Sequence, residues 1–240
     1  MRRVTFTFVW ILLLVAVSPA IARRAAQGQA GRVIDRIVAR IEGDIILLSQ
    51  VRELGAFQQL VEGRAESDDR LLEELIEQWI VQTEATESHF PQPAQAEVDR
   101  ELARLAAQFG SPEAYAAKLR ELGLTAAQVR DMLARQIYVE RYIDYKFRPT
   151  VQIESADIEN YYQRELLPEL TEKNKPNSGG LPFGTQGKPV EPGSVPRLAE
   201  VEGQIRELLT QRAITNMAAK WLEETKSRLK IELTAPVAKP

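Results

Sequence analysis

Apolar residues recur along this chain in two rhythms, a short one near each end and a helical one between them. Val33, Ile34, Ile37, Val38 and Ile41 are β-branched, and Ile45-Ile46 resume after Glu42-Gly43-Asp44. A Gly-Asp turn signal between two such runs predicts a short hairpin over 33–47. Ser49 then opens a helix to about Val61, with Val51, Leu54, Phe57 and Leu60-Val61 on one face, and the polar stretch 63–66 breaks it. The strongest periodic signal follows. Ser67 caps a helix to about Ser88, Asp68 and Asp69 sit at its positive end, and Leu71, Leu72, Leu75, Ile76, Trp79 and Ile80 form one stripe.

A third helix is predicted over 94–109, with Val98, Leu102, Leu105 and Phe109 inward, and Gly110 stops it. Ser111-Pro112 is a cap followed by proline at the first helical position, giving a helix over 112–122 that ends at Gly123. Thr125 and Gln128 make a capping box for a long helix to about Phe147. Pro149 ends it, Val151–Ile153 reads as a strand or an extended link, and Ser155 starts a further helix through Glu165. From 168 to 197 glycine and proline dominate and core residues are few, so this stretch reads as a linker. A last helix from Leu198 to Arg228 repeats Val201, Ile205, Leu209, Ala213, Met217 and Trp221 every four positions. Ile231-Glu232-Leu233 then alternates like one short strand, with a flexible tail over 234–240. Two strands alone are marginal in water, so the last strand is expected to pair near the first hairpin, bringing both ends of the chain into one mainly α-helical core.

The first residues follow another logic. Arg2-Arg3, an apolar run from Phe6 to Val17 broken only by Thr7, then Ser18-Pro19 and Ala20-Ile21-Ala22 make a secretory signal peptide over 1–22, cut after Ala22. The alternative is an uncleaved membrane anchor through residues 4–22, a stretch of about 19 residues, near the lower limit for spanning a bilayer. Without residues 1–22 the chain keeps 29 basic against 34 acidic residues, a formal charge of −5. That balance argues against nucleic-acid binding, and membrane contact is expected only through an uncleaved leader. Cysteine is absent, which excludes disulfides, thiol catalysis and cysteine metal sites.

No catalytic, metal or cofactor pattern is read. The lone histidine, His89, stands at a helix end and reads as solvent-facing. The run Glu97, Asp99, Arg100, Glu101, Arg104 reads as a solvated helical face with pairs four residues apart. Tyr138, Tyr142 and Tyr145 fall at i, i+4 and i+7 on the long helix, distinct from its stripe Val129, Leu133, Gln136-Ile137, Ile143. With Tyr115 and Met132 they are candidates for a substrate-facing apolar patch; the alternative packs the tyrosines against the C-terminal helix. Trp79 and Trp221 are read as core.

The order of these elements resembles the SurA-type chaperones. Carrying the resemblance are Asp35-Arg36-Ile37-Val38-Ala39-Arg40-Ile41-Glu42-Gly43-Asp44-Ile45-Ile46, entering a helix at Ser49-Gln50-Val51, then Leu71-Leu72-Glu73-Glu74-Leu75-Ile76 with Trp79 and Ile80. The tail Ile205, Leu209, Trp221-Leu222 and Ile231-Glu232-Leu233 is similar to the family's C-terminal helix and closing strand. The resemblance implies a chaperone domain over 33–167, completed by 198–233. It further implies a periplasmic location, ATP-independent holding of unfolded envelope or outer-membrane polypeptides, and no cofactor. The family's parvulin prolyl isomerase domain has no counterpart, since the 168–197 stretch is far short of the roughly 100 residues of a folded domain. Two other functions stay open: an envelope scaffold subunit with one dedicated partner, and, third, an isomerase.

Overall fold

The computed structural model describes residues 35–173 and 196–234. The expected leader and most of the expected tail and linker therefore lie outside the described residues. The hairpin forms from β1 (Ile37–Ile41) and β2 (Asp44–Leu47), antiparallel, with Arg40 opposite Ile45 and Ile41 opposite Asp44. Its two-residue turn places Glu42 at φ 49° and Gly43 at φ 105°, the left-handed pair that matches the twist of the flanking strands. Glycine tolerates that conformation and glutamate does not favour it. Glu42 is held there by β3 (Ile231–Leu233), because its N–H donates to the Lys230 carbonyl at 3.2 Å and its carboxylate accepts from the Lys230 N–H at 2.7 Å. β3 runs antiparallel to β1, with Ile41 opposite Ile231 and Ala39 opposite Leu233, so the sheet order is β2-β1-β3. The expected closure of the two chain ends is the observed one.

Helices account for the remainder. α1 (Leu48–Glu62) begins one residue before Ser49, whose N–H and hydroxyl both bond the Asp35 carboxylate, and ends at Gly63 in the left-handed conformation. α2 (Asp68–Glu87), α3 (Gln95–Ala107), α4 (Pro112–Leu122) and α5 (Ala126–Phe147) follow. The predicted caps form: Ser67 accepts from Arg70 N–H, Ser111 from Ala114 N–H, and Thr125 with Gln128 closes a capping box. Val151–Ile153 is an extended link outside the sheet.

α6 (Ser155–Tyr161) leads through a π-helical turn, Tyr162–Leu166, directly into α7 (Leu167–Lys173). This corrects the linker boundary, since residues 168–173 are helical. Pro168 lacks the N–H that would bond the residue-164 carbonyl, and the wider turn just before it relieves the clash of its ring. Leu170, buried beside Ile158, Leu166, Val201 and Ile205, anchors the extension. α8 (Leu198–Lys226) then returns the chain along the body to β3.

Apolar packing binds these pieces in linked clusters. The sheet packs on α1 and α2 through Val38, Ile41, Val51, Leu54, Leu71 and Ile76, with Leu222 and Leu229 joining from the end of the chain. Phe57, Val98, Leu105, Leu119, Val129 and Leu133 unite α1 with α3, α4 and α5. α5 is tied sideways as well: Arg130 to Asp99, Arg141 to Glu97 at 3.0 Å, Lys146 to Glu84 at 2.8 Å, and Arg148 to Glu207 at 2.9 Å. Glu97 and Asp99 thus bridge helices, where a face of within-helix pairs was expected; in that run Arg104 and Glu101 pair along α3.

One polar clasp locks the end of α8 to α2. The Lys226 ammonium, its side chain only 16% exposed, lies 2.5 Å from Glu223, 3.1 Å from Glu77 and 3.3 Å from Glu73. Burial disfavours its charge, but hydrogen bonds to Glu223 and Glu77 outweigh that and hold its pKa well above the usual lysine value of 10.5. For Glu73 burial acts upward, and the Lys226 hydrogen bond and charge, with Arg70, prevail and hold it below its usual 4.5. The lysine contribution is therefore complete below pH 10.5 and lost as pH climbs through the folded-state value. The Glu73 contribution is complete above 4.5 and lost as pH falls through its folded-state value. Lys226→Met is expected to cost about 1–3 kcal/mol at neutral pH, less than a fully buried pair because the carboxylates are partly solvated. Urea unfolding checks this: the gap between variant and parent narrows as pH falls below 4.5, and a gap independent of pH contradicts it.

Candidate functional site

Where α1, α2 and α5 diverge below β2, their side chains enclose a cleft of about 490 Å³, within the roughly 300–1,000 Å³ range of ligand sites. Its floor is apolar: Leu54 and Phe57 from α1, Leu75 and Val81 from α2, Met132, Val139 and Ile143 from α5, and Leu222 from α8. Two large apolar side chains stand open to water at its rim, Ile45 of β2 at 45% exposure and Val61 of α1 at 39%. The alternation of β2 explains Ile45, since neighbouring Ile46 takes the buried side. Val61 was expected on the inward face of α1; Leu60 is buried, and Val61 turns out into the cleft.

Polar groups surround this floor. Gln50, Gln58, Gln78, Gln82 and Gln136 line it with amides, and Glu53, Glu62, Glu74, Glu77 and Glu140 with carboxylates, against one cation among the described residues, Arg135. Several are fixed in place. Gln58 brackets the α1–α2 connection, accepting from the Glu66 N–H at 3.0 Å and donating to Glu74 at 2.8 Å. Gln78 donates to the other Glu74 oxygen at 3.1 Å. Burial, partly offset by the Gln78 hydrogen bond and reinforced by the charges of Glu62, Glu77 and Glu66, pushes the Glu74 pKa above its usual value. At the sheet end, the Trp79 indole N–H donates to Asp44 at 2.9 Å and pins β2 to α2. Trp79 and Trp221 are both half-buried against the core; Trp79 also forms cleft wall.

The five residues read from the sequence as one patch do not form one. Tyr138 and Tyr142, at 3% and 2% exposure, are packed with Val81, Ala85 and Phe90, and with Trp221 and Leu222 of α8. Their hydroxyls are used internally: Tyr138 donates to the Phe90 carbonyl at 3.2 Å, and Tyr142 lies 3.3 Å from the Ser88 hydroxyl. For this pair the patch reading is corrected and the alternative, packing against the C-terminal helix, is the observed one, because a rod flanked by α2 and α8 buries more than one stripe. Tyr145 alone is open, at 64%, and rests on Phe90 with ring centres 5.1 Å apart. Tyr115 is half-buried in another cluster, its ring 5.5 Å from Phe109. Met132 is buried too, yet it is the one member of the five on the cleft floor.

Among the described residues, Glu73, Glu77 and Glu223 are the three carboxylates close enough to share a cation, and the Lys226 ammonium already lies among them. His89 is exposed past the end of α2, at φ 55°. Among the described residues no helix is long and apolar enough to cross a membrane. No protein-family model matches this chain, and no curated protein matches it significantly in sequence.

The division of the tyrosines is measurable. Tyr138→Ala and Tyr142→Ala each leave a core cavity and are expected to cost about 3–5 kcal/mol, whereas Tyr145→Ala stays within about 0.5 kcal/mol. Thermal unfolding of the three variants separates them, and equal, small losses for all would return the tyrosines to the surface.

Proposed function

We propose that this chain is an ATP-independent chaperone that holds unfolded or extended polypeptides in the cleft between α1, α2 and α5. The observation that carries the reading is the cleft itself, with apolar floor, Ile45 and Val61 left open at its rim, and a wall of adaptable amides. Exposed apolar surface of this kind marks interaction sites. Amide side chains offer both donors and acceptors, so they can meet the free backbone of many different extended segments. Affinity of this origin is broad in sequence and reversible, which suits holding.

The resemblance to the SurA-type chaperones supports the same function and adds a location. The Arg2-Arg3 head, the apolar run and the Ala20-Ile21-Ala22 end support export to the periplasm, with envelope or outer-membrane polypeptides as clients. The stretch between α7 and α8 is too short for a parvulin domain, so holding without isomerase activity is the proposed role.

Light scattering of a thermally unfolding client tests it. The full chain is expected to suppress aggregation at stoichiometric amounts without nucleotide, and the double variant Ile45→Ser, Val61→Ser to suppress it several-fold less. Both positions are exposed, so the change leaves the fold intact. No suppression by the parent chain refutes the reading. Stoichiometric capture of one folded partner, with no unfolded clients, would assign a scaffold role in its place.

A further inference from the structure

The charge around the cleft is lopsided in a way that holding alone does not require. Of its five carboxylates, Glu77 is paired with Lys226 of the clasp. Glu53, Glu62, Glu74 and Glu140 make no ion pair among the described residues; Glu74 and Glu140 take hydrogen bonds only from the neutral amides of Gln58, Gln78 and Gln136. The four come from three helices and border the same apolar floor. Glu53 and Glu62 flank the Leu54, Phe57, Val61 stripe of α1 on opposite sides, Glu74 is half-buried on α2, and Glu140 stands across on α5.

We propose that the cleft selects extended segments in which apolar residues are interspersed with lysine or arginine. The inference rests on the chaperone reading and sharpens it to a client chemistry. The apolar side chains of such a segment meet the floor, and its cations meet carboxylates that have no cation of their own. Attraction between opposite charges is several-fold stronger in a partly desolvated cleft than in bulk water. Glu74 is the carboxylate most in need of a cation, because burial and neighbouring carboxylates disfavour its charge and an opposite charge beside it offsets that cost. A segment interspersed with aspartate or glutamate meets repulsion at the same positions. Charge here decides among clients while apolar burial holds them.

Three labelled peptides of equal length and equal apolar content, spaced by lysine, serine or glutamate, test this by fluorescence anisotropy with the full chain. The lysine-spaced peptide is expected to bind at least about tenfold tighter than the serine-spaced one, the glutamate-spaced one weakest, and the advantage to shrink in high salt. The cleft variant Glu62→Gln, Glu74→Gln, Glu140→Gln, which leaves Glu53 of the four, is expected to cut the preference several-fold. A matched surface variant, Glu87→Gln, Glu113→Gln, Glu159→Gln, keeps it, which separates the cleft from net charge. Equal binding of all three peptides overturns the selectivity and leaves the chaperone reading standing. A lysine preference undiminished in the cleft variant, or indifferent to salt in the unaltered protein, also overturns it. Binding of none of the peptides removes the chaperone reading, and this inference with it.

Discussion

The central position of β1 is the constraint on which the rest of this fold depends. A two-stranded hairpin is marginal in water, and β1 becomes the middle of a sheet only when residues 231–233 return to its free edge. That requirement dictates the course of α8, which must run back along the whole body to deliver β3. In running back, α8 covers α5 through Ile214, Ala218 and Trp221 and adds Leu222 to the sheet core. The strained backbone at Glu42, bonded to Lys230, and the Lys226 clasp both stand where this return finishes. Glu42 and Lys230 are 188 residues apart in sequence, and Lys226 lies 149 and 153 residues from Glu77 and Glu73.

The cleft is a consequence of the same geometry. α2 is engaged by the sheet and α8 on one side and by α5 on another, and α1 is drawn toward the α3–α4–α5 cluster by Phe57 and Leu60. Three helices held by different neighbours cannot close on each other along their full length, and the gap they leave is lined by what each would otherwise bury. Ile45 and Val61 remain open there because no element of the described chain reaches them. The Gln58–Glu74 bond then ties α1 to α2 and the Trp79–Asp44 bond ties β2 to α2, fixing these walls at set points, so the opening is a built feature.

Much of this architecture was legible in the sequence, because caps and periodicity are local. Ser67, Ser111-Pro112, Gly123 and the Thr125–Gln128 box placed helix ends within a residue or so, and the need to pair a lone strand foretold β1–β3. What escaped was long-range. The tyrosines at i, i+4 and i+7 looked like a second face of α5, but whether such a face is solvated depends on how many neighbours surround the rod. The extension of α7 past Pro168 was hidden because proline normally marks an end, and the π turn that accommodates it has no clear residue signature. The cleft escaped altogether: its glutamines and glutamates look like solvated helix surface until three helices bring them together. Only the pair Ile45-Ile46 carried a hint, since neighbours on a strand point to opposite faces.

Mapping of the bound client onto the chain bears most directly on the central claim, that this cleft is the binding surface. Methyl and indole resonances, recorded while an unfolded polypeptide is titrated into the full chain, give that map. The account predicts that Ile45, Val61, Met132, Val139 and the Trp79 indole shift together, while Phe90, Tyr145 and the α6–α7 region stay unmoved. Shifts confined to the Phe90–Tyr145 surface, with the cleft residues unchanged, would contradict it.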